Sequence, residues 1–241
     1  ARGAGENSTC CHNTATEHAM MERLMVDSVV TWATAYRVDG FRFDLMGHHS
    51  GANLLAGRNA LDALTLEADG VDGRAVLLYG EGWDFGEVAG NARFRQATQG
   101  QLAGTHIATF NDRLRDAVLG GSPFDSDKAA GQGFGTGLFS DPNGASTATP
   151  EQQRADLLHR QDLIRLSLAG NLRDYAFETR DGRVQSGAEL GYNGLPAGYA
   201  EEPDVPQALL QCRRQGWKFD IMATSFMLSR RRVRISTRSR M

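Results

Sequence analysis

An arginine and an aspartate stand two residues apart in Val38-Asp39-Gly40-Phe41-Arg42-Phe43-Asp44-Leu45-Met46-Gly47-His48. Residues of equal parity share a face of a strand, so Gly40, Arg42 and Asp44 point one way and Phe41 and Phe43 the other. A charge turned toward a packed interior is costly unless paired, and Arg42 would keep the Asp44 carboxylate paired and hydrogen-bonded. A carboxylate nucleophile needs that support, although a structural ion pair on an edge strand accounts for the same two residues. Further along, Ala75-Val76-Leu77-Leu78-Tyr79 is a continuous apolar run that stops at Gly80-Glu81, placing a second carboxylate at a second strand end. Two carboxylates at neighbouring strand ends are what glycoside hydrolysis requires. One attacks or stabilises the anomeric carbon and must be ionised; the other protonates the departing oxygen, and in a retaining mechanism the two lie ~5 to 5.5 Å apart. Trp83 and Phe85 offer flat faces for sugar rings, and serve equally well as core or loop packing.

The elements that must position these groups alternate. Thr14-Ala15-Thr16-Glu17 has the form of a capping box, followed by Met21, Leu24, Met25, Ser28, Trp32 and Tyr36 at helical spacing, which predicts a helix ending near Tyr36. The Val38–Asp44 strand follows at once. A helix is predicted from about Asn53 to Glu67, and the apolar run up to Tyr79 suits a strand of a parallel sheet covered by helices. A third strand is predicted over Thr105–Phe110, ending at Asn111-Asp112-Arg113. Leu138-Phe139 falls in a long Gly-rich loop, and Thr149-Pro150-Glu151-Gln152 opens a helix running to Gly170. Helix and strand in alternation is the α/β class, and in barrels of that class catalytic groups sit at the carboxyl ends of the strands.

The chain has 241 residues, 41% hydrophobic and 23% charged, enough to bury a sizeable core. No apolar run approaches the ~20 residues of a membrane span, no signal-peptide layout is visible, and no membrane partner is expected. Without an initiator Met, the chain is expected to begin inside a longer one. Cys10, Cys11 and Cys212 have no metal-ligand spacing, so no metal site is expected. The net charge of −3 conceals a split, because 211–241 holds nine Lys or Arg against one Asp. The basic tail has the footprint of a nucleic-acid patch, but a solvated terminus is the simpler account, and no nucleic-acid partner is expected.

The two strand segments resemble the fourth- and fifth-strand motifs of glycoside hydrolase family 13, in its pullulanase and limit dextrinase branch: Val38 to His48, and Tyr79-Gly80-Glu81-Gly82-Trp83-Asp84-Phe85-Gly86-Glu87. The likeness continues in order through Glu6–Cys11, Thr14–His18, Phe110–Ala117, Asp141–Gly144, Gly170–Tyr175 and Leu195–Tyr199. It implies a starch-debranching enzyme that hydrolyses α-1,6 branch linkages of pullulan, amylopectin, glycogen or limit dextrins with retention. Asp44 matches the nucleophile, Glu81 the acid/base and Arg42 the arginine that steadies the nucleophile. His48, Trp83 and Asp84 are then substrate contacts, with a satisfied structural histidine an equal reading of His48, and Asn111, Asp112 and Arg113 would line the cleft, although a loop-anchoring Asn and an ion pair explain those three as well. No cofactor is implied, and calcium enters only by analogy with the family.

The same resemblance implies a partial (β/α)8 barrel over 1–206, from about the third helix to the region of the seventh strand, and a divergent basic tail over 207–241. The first sugar-binding motif of the family would lie before Ala1. Where the family continues to a strand ending in His-Asp, this chain reads Gln207-Ala208-Leu209-Leu210-Gln211-Cys212, with no histidine after His159. A reading-frame slip between Pro206 and Phe219 would account for that. The expectation is therefore little or no activity in the isolated chain. A non-catalytic glucan-binding form and an α-1,4-acting amylase-type hydrolase are the alternatives. The compartment follows the source: a plastid in a plant or alga, the cell exterior or cytoplasm in a bacterium.

Overall fold

The computed structural model describes residues 5–8, 11–121, 125–127 and 129–201, together with the backbone of 208–209. Helix α1 (Ala19–Tyr36) buries Met25, Val29 and Ala33, one residue per turn on a single face. The predicted capping box does not cap it. The N-cap is His18, with no side-chain cap, while Thr16 is fully buried and its hydroxyl accepts from the Ser50 backbone N–H at 3.2 Å. Strand β1 (Gly40–Phe43) starts two residues after the predicted Val38 and ends one before Asp44, where Leu45 takes a left-handed conformation, φ 47°, and turns the chain away. Helix α2 (Gly51–Asp62) starts two residues before the expected Asn53, since Ser50 caps the Asn53 N–H at 3.0 Å. It stops short of Glu67. Its buried Arg58 donates to Val76 O at 2.6 Å and Gly73 O at 2.5 Å, tying the helix to the approach of the next strand.

Strand β2 (Leu77–Gly80) starts two residues into the predicted Ala75–Tyr79 run and extends one residue past it, and β3 (Ala108–Phe110) lies inside its predicted span. Asn111 caps helix α3 (Asp112–Leu119), accepting from the Leu114 N–H at 3.1 Å. Thr149 and Gln152 form the predicted reciprocal box at the start of α4 (Pro150–Leu168). Two hairpins follow, β4 (Ala176–Glu178) with β5 (Val184–Ser186) and β6 (Gly191–Tyr192) with β7 (Leu195–Pro196), before β8 (Ala208–Leu209).

The main sheet runs β1-β2-β3-β8, parallel throughout, with Arg42 opposite Tyr79 and Phe43 opposite Gly80. The fold is thus α/β, and among the described residues the sheet does not close on itself. Phe41, Phe43, Leu78 and Ile107 pack with Met25, Leu54 and Leu61 of the helices. A second cluster joins α3 and α4 to the hairpins through Ala117, Leu166, Phe177 and Tyr192. The expected character of 207–241 lies outside the described residues, apart from the backbone of β8.

Candidate active site

Asp44, Glu81 and Asn111 each follow the last residue of a strand, so the register of β1, β2 and β3 brings them to one edge of the sheet. Arg42, one strand residue back, sends its guanidinium to both carboxylates: Nη1 lies 2.8 Å from Asp44 Oδ1 and Nη2 lies 2.8 Å from Glu81 Oε1. A planar fork with two outward nitrogens is suited to this bridging, which an ammonium cannot copy. The expected Arg42–Asp44 pairing is present, and it extends to Glu81.

One feature differs from the sequence-based picture. The charged face of β1 is open, with the Asp44 side chain 71% exposed, because no second layer of described residues packs on it. Glu81 is more enclosed, its side chain 13% exposed, but its setting is polar. The Leu45 N–H donates to its Oε2 at 3.1 Å and Arg42 to its Oε1, so both oxygens are held by donors. The turn that offers Leu45 N–H is the same left-handed turn that follows β1.

Behind Glu81 the backbone is tight. Gly47 N–H donates to Glu81 O at 2.9 Å, and a Cβ on Gly47 would lie 1.9 Å from Trp83 O. That close approach, more than any turn, requires glycine. Trp83 is half-buried beside the strand end, and the Arg115 guanidinium sits 5.8 Å from its ring. Asp84 is exposed and its Oδ1 accepts from Gly90 N at 2.9 Å, shaping its own loop.

His48 is buried, and its ring meets Phe85 edge-on at 4.6 Å. Its Nε2 stands 3.7 Å from Glu87 Oε2, and neither ring nitrogen has a hydrogen-bond partner among the described residues. Burial pushes this imidazole below its ordinary value, against the opposing pull of Glu87. Burial alone would raise the Glu87 carboxyl, but hydrogen bonds from Ser8 and Asn13 hold it below the usual range.

Of the residues expected to line the cleft, two are committed to the scaffold. Asn111 is buried as the cap of α3. Arg113 is buried between the rings of Tyr192 and Tyr199, at 4.9 and 4.8 Å, and binds Gln99 and, at 2.5 Å, Asp112 Oδ1. Asp112 stays partly exposed, at 17%, and receives Gln99 Nε2 at 3.1 Å. Gln99 was not foreseen: it lies in a loop after β2 with no motif of its own, yet it is buried and links Asp112, Arg113 and Phe110 O. Arg115 was likewise missed, though it stands inside the quoted Phe110–Ala117 stretch. Among the described residues, no group of three His, Cys, Asp or Glu is placed to hold a metal ion.

No protein-family model matches the chain. It is 43% identical over 219 residues to pullulanase 1, chloroplastic, of Arabidopsis thaliana, a match covering 90% of this chain. It is 44% identical over 203 residues to the pullulanase of Klebsiella aerogenes, covering 83%. The maltotriose complex of PulA from Klebsiella pneumoniae superposes on 88% of the chain with a TM-score of 0.76 at 42% identity, using 21% of that structure. The chain spans 22% and 17% of the lengths of the two curated relatives. Sequence and backbone agree over the stretch that contains Arg42, Asp44 and Glu81, and the chain is a pullulanase-type segment of the glycoside hydrolases.

Proposed function

We propose that this chain supplies the two carboxylates of a starch-debranching active site that hydrolyses α-1,6 linkages in pullulan, amylopectin, glycogen and limit dextrins with retention. The observation that carries the reading is one guanidinium shared by Asp44 and Glu81 at adjacent strand ends, which holds the two carboxyls close to each other. Asp44, open to solvent, attacks the anomeric carbon while Glu81 gives a proton to the departing oxygen. Glu81 then takes a proton from the water that breaks the glycosyl ester on Asp44. Both Glu81 oxygens are occupied here, so one must leave Arg42 or Leu45 N–H to reach the glycosidic oxygen. Arg42 steadies Asp44 when Glu81 turns to that task. Trp83 supplies a stacking face and Asp84 and Asp112 polar contacts to the glucan. His48, Asn111 and Arg113 act from behind by fixing the loops. The chemistry needs no cofactor, since two carboxylates and water complete the cycle; calcium, if it binds, has no part in these steps.

Strands β1, β2 and β3 are read as part of a (β/α)8 barrel spanning 1–206, and β8, at 208–209, lays the start of the basic 207–241 segment alongside β3. Such an arc lacks the remaining strand ends, so the 241-residue chain alone is expected to release few reducing ends from pullulan. A plastid or a bacterial setting fits, according to source.

The decisive test is a chimera in which residues 5–201 replace the matching stretch of the Klebsiella aerogenes pullulanase. Pullulan cleavage that disappears on Asp44→Asn and on Glu81→Gln is expected, with products retaining the anomeric configuration. Cleavage of amylose in preference to pullulan would favour the α-1,4-acting alternative. Full activity in Asp44→Asn would overturn the assignment.

A further inference from the structure

Residues 5–8 and 11–18 lie across the loops that follow β1 and β2 and are fastened to both. Glu6 pairs with Arg93, and the Asn13 N–H returns to Glu6 O at 2.8 Å, folding the segment on itself. Thr16 receives Ser50 N–H, anchoring the other end beside α2. Between these anchors, Glu87 is the point where strap and loop meet. Asn13 Nδ2 reaches its Oε1 at 2.7 Å and its Oε2 at 2.8 Å, and the Ser8 hydroxyl donates to Oε2.

The fit around this carboxylate is close. Gly86 has φ 76°, and a Cβ there would lie 2.2 Å from Ser8 Oγ and 2.9 Å from His48 Nε2. Only glycine admits both neighbours. The His48 ring presses on Phe85, and Trp83 backs onto Gly47. The loop from Trp83 to Glu87, which begins two residues after Glu81, is thereby gripped at Trp83 O, Phe85, Gly86 and Glu87.

We propose that Glu87 is a positioning residue: held by Ser8 and Asn13 and facing His48, it fixes the loop that presents Trp83 beside Glu81. The strap acts on the glucan-binding face only through that loop. Its value for catalysis rests on the reading of Trp83 as a sugar contact given above, but the strap's grip on Trp83 does not. A packing role alone would depend on the size of residue 87; this one depends on a carboxylate meeting an amide donor.

The full chain carrying Trp32→Phe and Trp217→Phe leaves Trp83 as the sole indole. In that background Asn13→Asp sets two carboxylates against each other, and adding Glu87→Gln restores the hydrogen bond with its donor and acceptor exchanged. Asn13→Asp is expected to red-shift Trp83 emission and increase its quenching by acrylamide, with far-UV circular dichroism unchanged. The double exchange is expected to reverse both changes. Ser8→Ala, which removes one donor and adds no charge, should give a smaller red shift. The proposal is overturned if Asn13→Asp leaves Trp83 emission where it was, or if the exchange does not restore it. Maltotriose is then added to the unsubstituted chain. Failure to shield Trp83 from acrylamide, with emission still following the strap, counts against the glucan-binding reading and leaves the strap supported.

Discussion

At the residue scale, one side chain organises the site. Arg42 touches both carboxylates through different nitrogens, so its contribution is geometric before it is energetic. Its pair with Asp44 is 35% and 71% exposed, and such a pair is worth about 0 to 1 kcal/mol of stability. Arg42→Lys should therefore leave the melting temperature nearly unchanged. In the chimera the same change is expected to lower kcat for pullulan by about a hundredfold, the scale of a misplaced catalytic group. Equal kcat in the lysine variant would show that bridging is dispensable.

The histidines give a second prediction at this scale. Burial holds His48, His49 and His159 below the ordinary imidazole value of 6.5. Glu87 opposes the fall at His48, Asn53 opposes it at His49, and Arg180 adds to it at His159. A base depressed in the folded state binds protons more readily when unfolded. Stability is therefore complete above pH 6.5 and is lost as pH falls below it. The thermal midpoint is expected to drop between pH 6.5 and 5, before ordinary carboxylates titrate, and His159→Gln should flatten that slope. A midpoint constant over this range would refute the assignment.

Elements decide which polar residues face the cleft and which hold it up. The Phe110–Ala117 segment reads as a strand end followed by charges, and all three residues after Phe110 are candidates for binding. The fold separates them by the turn of α3: the cap consumes Asn111, and the following residues rotate Arg113 inward between two tyrosines while Asp112 stays at the rim. Nothing local to the sequence encodes this, because Tyr192 and Tyr199 arrive from a hairpin region far along the chain. Capping shows the same divide. The box at Thr149 forms reciprocally with Gln152 at an exposed helix start, whereas Thr16 in the earlier box is buried and receives the Ser50 N–H instead. Tyr192 donates to Asp116 at 2.5 Å, and burial pushes its phenol well above the ordinary range, so the Arg113 side of this pocket keeps neutral tyrosines around a cation. Arg113→Ala should cost about 3 kcal/mol or more, the scale of breaking a buried ionic contact. Denaturant unfolding measures it. A loss below about 1 kcal/mol, as for a surface ion pair, would return Arg113 to the list of substrate contacts.

The whole molecule explains why the charged face could be read in sequence while its exposure could not. Alternation in Gly40–Asp44 gives the face; whether another layer covers it is set by tertiary packing that the local pattern does not encode. The same openness reaches the helices. On α1, Met20, Leu24, Trp32 and Tyr36 are 82%, 62%, 48% and 64% exposed, and Leu77 of β2 is 51% exposed. Trp32 and Tyr36 stack on each other at 4.4 Å, with no other ring against them among the described residues. Strand β1 pairs only with β2 in the described sheet, so its other edge is unpaired among the described residues. An uncovered face and edge together favour association of copies, each screening the other's apolar surface from water. Sedimentation of the purified chain is expected to show concentration-dependent self-association. Leu24→Glu with Trp32→Glu places two charges on the exposed side without touching Met25, Val29 or Ala33, so α1 keeps its packing. The double variant should sediment as a smaller species with the same far-UV circular dichroism. If it associates as strongly as the unsubstituted chain, the contact lies at the strand edge, and a charge on β1, as in Phe41→Lys, would cost core packing as well.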